Sequence, residues 1–377
     1  MTSAERRIAT RTWRRTGAAL AAAAAVLAGS AAATQPGAGA PTPPPPVKCD
    51  KAAGPFHVSG TRVLEAHGRA FVPYGVTATG LAVRNYSVSV ADQQIQGAAW
   101  YWCVNTVRLQ VAQGNLLPNG STESAAFMAA LKDAVRTAES YKLVVVISDQ
   151  TEETGFQPAP TRETEFFWRD LSHVYGRDPQ VVFDLFNEPR LRTGSIAADW
   201  RIWQSGGTYR GASYVGMQEL AHYVRHDETA QNLFWVEGPH FATTLNQVST
   251  HRLTVPGVVY DIHHPSGPHD TFSWQNDFGY LLTEHIAPVV DGEWTNYTAH
   301  KSECWPDART TVPAYLGYLA KLRVGMTVWA LQKGVMIESG NFWDPTHIRS
   351  GYSCEKILDQ GAGSLIMSWY KLRNDAS

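Results

Sequence analysis

Charge imbalance, long apolar runs and nucleotide-binding turns are all missing from this sequence, and each absence removes a class of function. Acidic and basic residues nearly cancel, 34 against 32 for a formal net charge of −2, so no basic field recruits nucleic acid and no acidic tail extends the chain. The partner expected is uncharged. The apolar run at Ala18–Ala28 is too short and too alanine-rich to anchor in a bilayer. No glycine-rich phosphate turn follows the first strand candidate, and no Gly-x-Ser-x-Gly elbow supports a secreted esterase. The four cysteines include no Cys-x-x-Cys, and the histidines lack a third ligand at zinc spacing, so neither a metal nor another cofactor is expected.

What is present begins with Arg6, Arg7, Arg11, Arg14 and Arg15, the Ala18–Ala28 run, and small residues to Ala33. Together they read as a secretory signal peptide over residues 1–33. Residues 34–50, with TQPGAGAPTPPPPV at Thr34–Val47, read as an extended, disordered Pro-rich linker. Residues 51–377 then form one domain, expected to be a secreted monomer. Secretion gives meaning to an even count of cysteines: Cys49, Cys103, Cys304 and Cys354 predict two disulfides. Three pairings are possible, of which Cys304–Cys354 with Cys49–Cys103 is favoured. Thirteen Trp exceed what a core needs, and flat aromatic faces stack on sugar rings, so some are expected in a cleft and the others in packing.

From Phe56 the alternation in FHVSGTRVLEAHGRAFVPYGV, with turn glycines at Gly60 and Gly68, predicts a hairpin that plugs a barrel floor. Eight β-branched runs follow: Phe71–Thr77, Thr106–Val111, Leu143–Ser148, Val181–Phe186, Leu233–Glu237, Val258–His263, Pro288–Gly292 and Met326–Leu331. Helical stretches intervene at Ala91–Trp102, Ser124–Ser140, Glu165–Tyr175, Ser213–Thr229 and Val312–Leu322. Eight alternating units predict an α/β fold, a (β/α)8 TIM barrel with an N-terminal β-hairpin, over an open doubly wound sheet.

The polar residues at the strand ends carry the chemistry. In Val181–Arg190, VVFDLFNEPR, an apolar run stops at Asn187-Glu188-Pro189, because Pro189 cannot extend a ladder. Glu188, flanked by Phe186 and Pro189, is expected to be poorly hydrated, raised in pKa and protonated as a proton donor. Glu293 ends strand seven and faces Glu188 across the mouth. Double-displacement glycoside hydrolysis needs such a pair about 5 Å apart, one as acid and one as nucleophile. Arg108, ending strand two, is placed to hold Glu293 ionised. His240 and Trp294 are alternatives between cleft and packing, while His264 points to the opposite face from His263.

NTVRL at Asn105–Leu109, FDLFNEP at Phe183–Pro189, VVYDIHH at Val258–His264, PVVDGEW at Pro288–Trp294 and VWALQKG at Val328–Gly334 together resemble glycoside hydrolase family 5, the cellulase family of clan A. The resemblance implies a retaining barrel enzyme acting on β-linked oligo- or polysaccharide. It implies Glu188 as acid/base, Glu293 as nucleophile, Asn187 on the sugar 2-hydroxyl, Arg108 and His263 orienting the carboxylates, and Trp329 flooring the reacting subsite. Two positions depart from the family pattern. ISDQ at Ile147–Gln150 lacks the strand-three His, whose sugar contact falls to Asp149 or Gln150, and Pro265 replaces a Tyr that donates to the nucleophile. Tyr297 is the candidate replacement donor. The expected function is a secreted endo-β-1,4-glucanase. The alternatives are a β-mannanase, another β-glycosidase on this scaffold, or a catalytically silent carbohydrate-binding protein.

Overall fold

The computed structural model describes residues 49–116, 122–151, 155–264, 274–295, 308–332, 335–337 and 362–374. Residues 1–48, where a signal peptide and most of a linker are predicted, and Pro265, Tyr297, Cys304 and Cys354 lie outside the described residues.

A short antiparallel sheet comes first, with β1 (His57–Ser59), β2 (Arg62–Leu64) and β3 (Ala70–Phe71) in that order. The predicted hairpin thus gains a third strand. Pro73 splits the run predicted as one strand over Phe71–Thr77. Lacking an N–H, it cannot continue a ladder, so Phe71 stays with the small sheet and the barrel begins at Tyr74.

Barrel strands β4 (Tyr74–Ala78), β5 (Thr106–Ala112), β6 (Val144–Gln150) and β7 (Val181–Asp184) precede a small hairpin of β8 (Gly207–Tyr209) and β9 (Ala212–Tyr214). Strands β10 (Phe234–Glu237), β11 (Val258–Ile262), β12 (Val289–Trp294) and β13 (Gly325–Val328) complete the set. All eight barrel strands are parallel to their neighbours, and β13 pairs with β4 to close the barrel. The predicted (β/α)8 architecture is present, with each predicted strand displaced by at most a few residues at its ends.

The outer layer contains α1 (Val88–Tyr101), α2 (Thr122–Ser140), α3 (Arg162–Tyr175), α4 (Ile196–Ser205), α5 (Met217–His222), α6 (Tyr280–Thr283), α7 (Ala308–Leu322) and α8 (Ala362–Asn374). Local chemistry starts several of them. The Ser87 and Ser195 hydroxyls accept from the N–H groups of Val90 and Ala198, both at 3.3 Å, satisfying donors that a helix start leaves unpaired.

Side chains alternate across each strand, so a strand buried on both faces reads as a continuous apolar run. Val145, Ile147, Val181 and Phe183 pack outward with Ile95, Leu131 and Trp168. Val144, Val146, Val182, Trp235, Val259 and Val290 face inward, sealed from below by Phe56 and Phe71, whose rings lie 4.6 Å apart. The predicted floor plug is therefore in place. Two residues above this apolar layer, the inward positions of four adjacent strands become Ser148, Asp184, Glu237 and Asp261, all fully buried. The barrel's polar end is built by that change of side chain along each strand.

Candidate active site

Arg108, on β5, stands at the centre of the polar layer and is fully buried. Its Nε donates to Asp184 Oδ2 at 2.9 Å, Nη1 to Glu293 Oε2 at 2.7 Å, and Nη2 to Asn187 Oδ1 at 2.7 Å and Glu237 Oε1 at 3.1 Å. A planar guanidinium suits this use, because its donors diverge at fixed angles and its charge survives burial. Burial lowers its pKa, but Asp184, Glu293 and Glu237 more than offset that and raise it overall. Gln110, two residues further along the same face, donates to Glu293 Oε2 at 3.0 Å.

Glu188 and Glu293 face each other across the mouth as predicted. Oxygens of both, together with a ring nitrogen of His263, lie within 4.8 Å of one another. Glu188 is held by its backbone as well as its side chain. Its φ is +47, a region that costs an L-residue roughly 1–2 kcal/mol, and its N–H donates to a Glu237 side-chain oxygen. The adjoining Asn187 N–H bonds Asp149 O at 3.0 Å, and Pro189 O accepts from Phe241 N–H at 2.9 Å. Its carboxylate lies 3.4 Å from His263 Nδ1 and 3.3 Å from Arg190 Nη2.

The protonation expected for Glu188 is not what this arrangement produces. Burial does push its pKa up, but the His263 hydrogen bond and the charges of His263, Arg190 and Arg108 outweigh it, and the net direction is down. Glu293 moves up: burial dominates and the charge of Glu188 adds to it, against the pull of His263 and Arg108. The two carboxyls are thus shifted in opposite directions, Glu188 toward its anion and Glu293 toward its protonated form. Reading hydration from Phe186 and Pro189 alone missed the cations brought in by β5, β11 and the chain after Pro189.

The remaining predicted residues divide. Asn187 and His263 join the cluster, both nearly buried, and Trp329 is half-buried just beyond β13, its N–H bonded to Trp294 O at 2.7 Å. His264 faces outward as expected, stacked on Tyr315 with its Nε2 3.5 Å from Asp277 Oδ2. Trp294 is fully buried against Tyr315, a packing residue. His240 bonds Asp199 at 2.7 Å and supports the rim. Asp149 and Gln150 are buried on β6 and present little surface to a sugar.

Sequence reasoning overlooked Glu237, Asp184, Asp261 and Gln110. The strand-end rule that selected Glu188 and Glu293 applied equally to Glu237, the last residue of the fifth barrel strand. Three cations, Arg108, His263 and Arg190, serve a cluster of five carboxyls, Asp184, Glu188, Glu237, Asp261 and Glu293, so the carboxyls outnumber the positive charges. Asp261 is raised well above the usual carboxylate range, and Glu237 is pushed up to about 7, in both cases chiefly by burial. Two triads, Glu188–His263–Glu293 and Glu237–Asp261–His263, have ligand atoms close enough to chelate a metal ion. In both, Arg108 already supplies positive charge to the carboxylates, which opposes a second cation.

Several solved structures share this fold. The catalytic domain of an endoglucanase from Thermobifida fusca, in complex with cellotetraose, is 14% identical with a TM-score of 0.61, the alignment covering 85% of this chain and 98% of that one. A β-glucanase from Saccharophagus degradans, also with cellotetraose, is 16% identical with a TM-score of 0.62 over 88% and 97%. A hyperthermophilic endocellulase from the archaeon Pyrococcus horikoshii is 14% identical with a TM-score of 0.58 over 85% and 98%. The sequence model for cellulase, glycosyl hydrolase family 5, matches residues 64–334, a span that runs from β2 past β13 and contains every residue of the cluster around Arg108. The chain belongs to glycosyl hydrolase family 5, the cellulases, and is a glycoside hydrolase.

Proposed function

We propose that the protein is a secreted, retaining endo-β-1,4-glucanase that cleaves β-linked glucan by double displacement. One observation carries the stereochemical part: one oxygen of Glu188 and one of Glu293 lie within 4.8 Å of each other, an approach that suits retaining pairs, about 5 Å apart, better than the roughly 6.5–9.5 Å pairs that leave room for an inverting water. Glu293 is the nucleophile, because Arg108 and Gln110 both donate to its Oε2 and leave Oε1 to attack the anomeric carbon. Glu188 is the acid/base, beside Asn187, which meets the 2-hydroxyl.

The first step needs the proton on Glu188. Substrate brings this about in two ways: a sugar hydroxyl donating to Glu293 favours its anion, and a glycan covering Glu188 removes its remaining water and raises its pKa. Protonated Glu188 then gives its proton to the glycosidic oxygen as Glu293 attacks, forming a glycosyl ester. Ionised Glu188 next takes a proton from water, which hydrolyses the ester. Glucan is favoured over mannan because relatives of the same fold carry cellotetraose. Secretion rests on the signal-like residues 1–33 and on the disulfide Cys49–Cys103.

Proton NMR of early cello-oligosaccharide hydrolysis should show the β-anomer of the new reducing end first; α-first product would exclude the mechanism. On an activated aryl glycoside, azide should rescue Glu293→Ala with inverted and Glu188→Ala with retained glycosyl azide. Swapped products would exchange the roles. Reducing-sugar release from β-glucan, mannan and xylan tests the substrate, and binding without release would leave a silent carbohydrate-binding protein.

A further inference from the structure

Glu237 reaches the backbone of Glu188 and two of the cations near it, Arg108 and His263. Its backbone carbonyl accepts from Trp203 Nε1 at 2.7 Å, and both side-chain oxygens are engaged. One accepts the Glu188 N–H; the other lies 3.1 Å from Arg108 Nη2 and 3.2 Å from His263 Nε2. The opposite ring nitrogen of His263 is 3.4 Å from Glu188 Oε1. Carboxylate, imidazole and carboxylate thus form a row from the barrel interior to its mouth.

The backbone after β10 repeats the connection. His240, Phe241 and Ala242 are successively left-handed, at φ +63, +64 and +55, a conformation that persists only where surroundings hold it. There Phe241 N–H donates to Pro189 O, beside Glu188, and Ala242 O accepts from His263 N–H, both at 2.9 Å.

We propose that Glu237 is the positioning residue of the acid/base: one oxygen holds the left-handed Glu188 backbone, and the other keeps His263 as an imidazolium whose charge sets the pH window of Glu188 and Glu293. The inference rests on the assignment of Glu188 as acid/base. Groups facing Glu237 come from three strands: Arg108 from β5, Asp184 from β7, and Asp261 and His263 from β11. His263 also faces Glu293, and Glu188 also faces Arg190. Arg108 is divided among four acceptors, which leaves His263 as the cation that responds to Glu237. Burial alone would lower the His263 pKa, but Glu237 and Glu188 raise it well above the usual range.

Glu237→Gln keeps a carbonyl oxygen for the Glu188 N–H and removes the charge that Glu237 takes on as pH rises through about 7. Two consequences oppose each other. Losing a nearby anion lowers the pKa of both Glu188 and Glu293, while losing the imidazolium raises both. Coulomb energy falls with distance, and His263 contacts Glu188 directly whereas Glu237 approaches its carboxylate from beyond the ring. Loss of the imidazolium wins, so both limbs of the pH profile move alkaline.

Three measurements test this. Nitrogen NMR of the unsubstituted protein should show both His263 ring nitrogens protonated at pH 7; a neutral ring would overturn the proposal without any variant. In folded Glu237→Gln, the His263 titration should fall and both limbs of kcat/KM should move alkaline by about one pH unit. A profile that stays in place, or moves acidic, refutes the coupling. Glu237→Ala also loses the backbone anchor and should fall roughly tenfold further in kcat; equal activity of the two variants would remove the anchoring role. Should azide fail to rescue Glu188→Ala, the acid/base assignment fails separately, and the His263 titration still reports the hold of Glu237.

Discussion

At the scale of single residues, the site depends as much on an absent side chain as on those present. Gly292 precedes Glu293, and a Cβ built there would overlap Asp261 Oδ2. The Asp261 carboxyl fills that space and accepts the Gly292 N–H at 2.6 Å. Asp184 and Glu237 stand close enough for their charges to act on it, in a layer that is fully buried. Gly292→Ala should therefore cost about 1–3 kcal/mol through overpacking and lower kcat about a hundredfold by displacing Glu293. Melting temperature and kcat measured together check this, and values like those of the unsubstituted protein would refute it. Such dependence is hidden in the sequence, because Gly292 touches Asp261 only when β11 and β12 are in register. Glu188 and Glu293 were legible from their own segments. Their protonation was not, being set by His263, Arg190 and Arg108 from distant parts of the chain.

At the scale of elements, Pro73 and the strand-end polar residues marked the barrel strands, because backbone chemistry and alternation act locally. The small hairpin β8–β9 escaped notice: each strand has three residues, too few for a period to show. A junction between elements offers a second pH effect. Glu139, near the end of α2, shares a hydrogen bond with Asp178, which follows α3, and is pushed up to about 7 by burial first and by Asp178 second. With its folded pKa above its unfolded one, the native state binds the extra proton. That contribution is fully present below about pH 4.5 and is lost as pH rises through about 7. Solvent screening of this partly exposed pair reduces the effect to about 1 kcal/mol. Glu139→Gln should thus raise the urea midpoint at pH 8 and leave it nearly unchanged at pH 5. An equal change at both pH values would show that the pair does not share a proton.

At the scale of the whole molecule, the chain closes on itself at the end of the barrel opposite the site. Cys49 bonds Cys103, 54 residues away and just before β5. The Asp50 N–H donates to Asn374 O at 2.9 Å, and Asn374 Nδ2 donates to Cys103 O at 2.7 Å, so the first described residues and the end of α8 meet at one point. Pairing was only partly legible: four cysteines allow three connectivities, and proximity of Cys49 to Cys103 emerges once the small sheet seals the floor. Loop entropy for a closure of that length comes to about 4 kcal/mol. A loss of that size in a domain this large should lower the melting temperature by about 6 °C. The strands hold the disulfide some 15–20 Å from Arg108, at about 3.3 Å per residue, and below the polar layer the barrel is filled by the packed cluster of Phe56, Phe71 and the inward-facing strand residues. The Cys49→Ser/Cys103→Ser double variant should therefore melt earlier while keeping its kcat at 25 °C. An unchanged melting temperature would mean that the hydrogen bonds to Asn374 suffice to close the barrel floor; a fall in kcat well below melting would mean that the floor and the catalytic mouth are mechanically coupled.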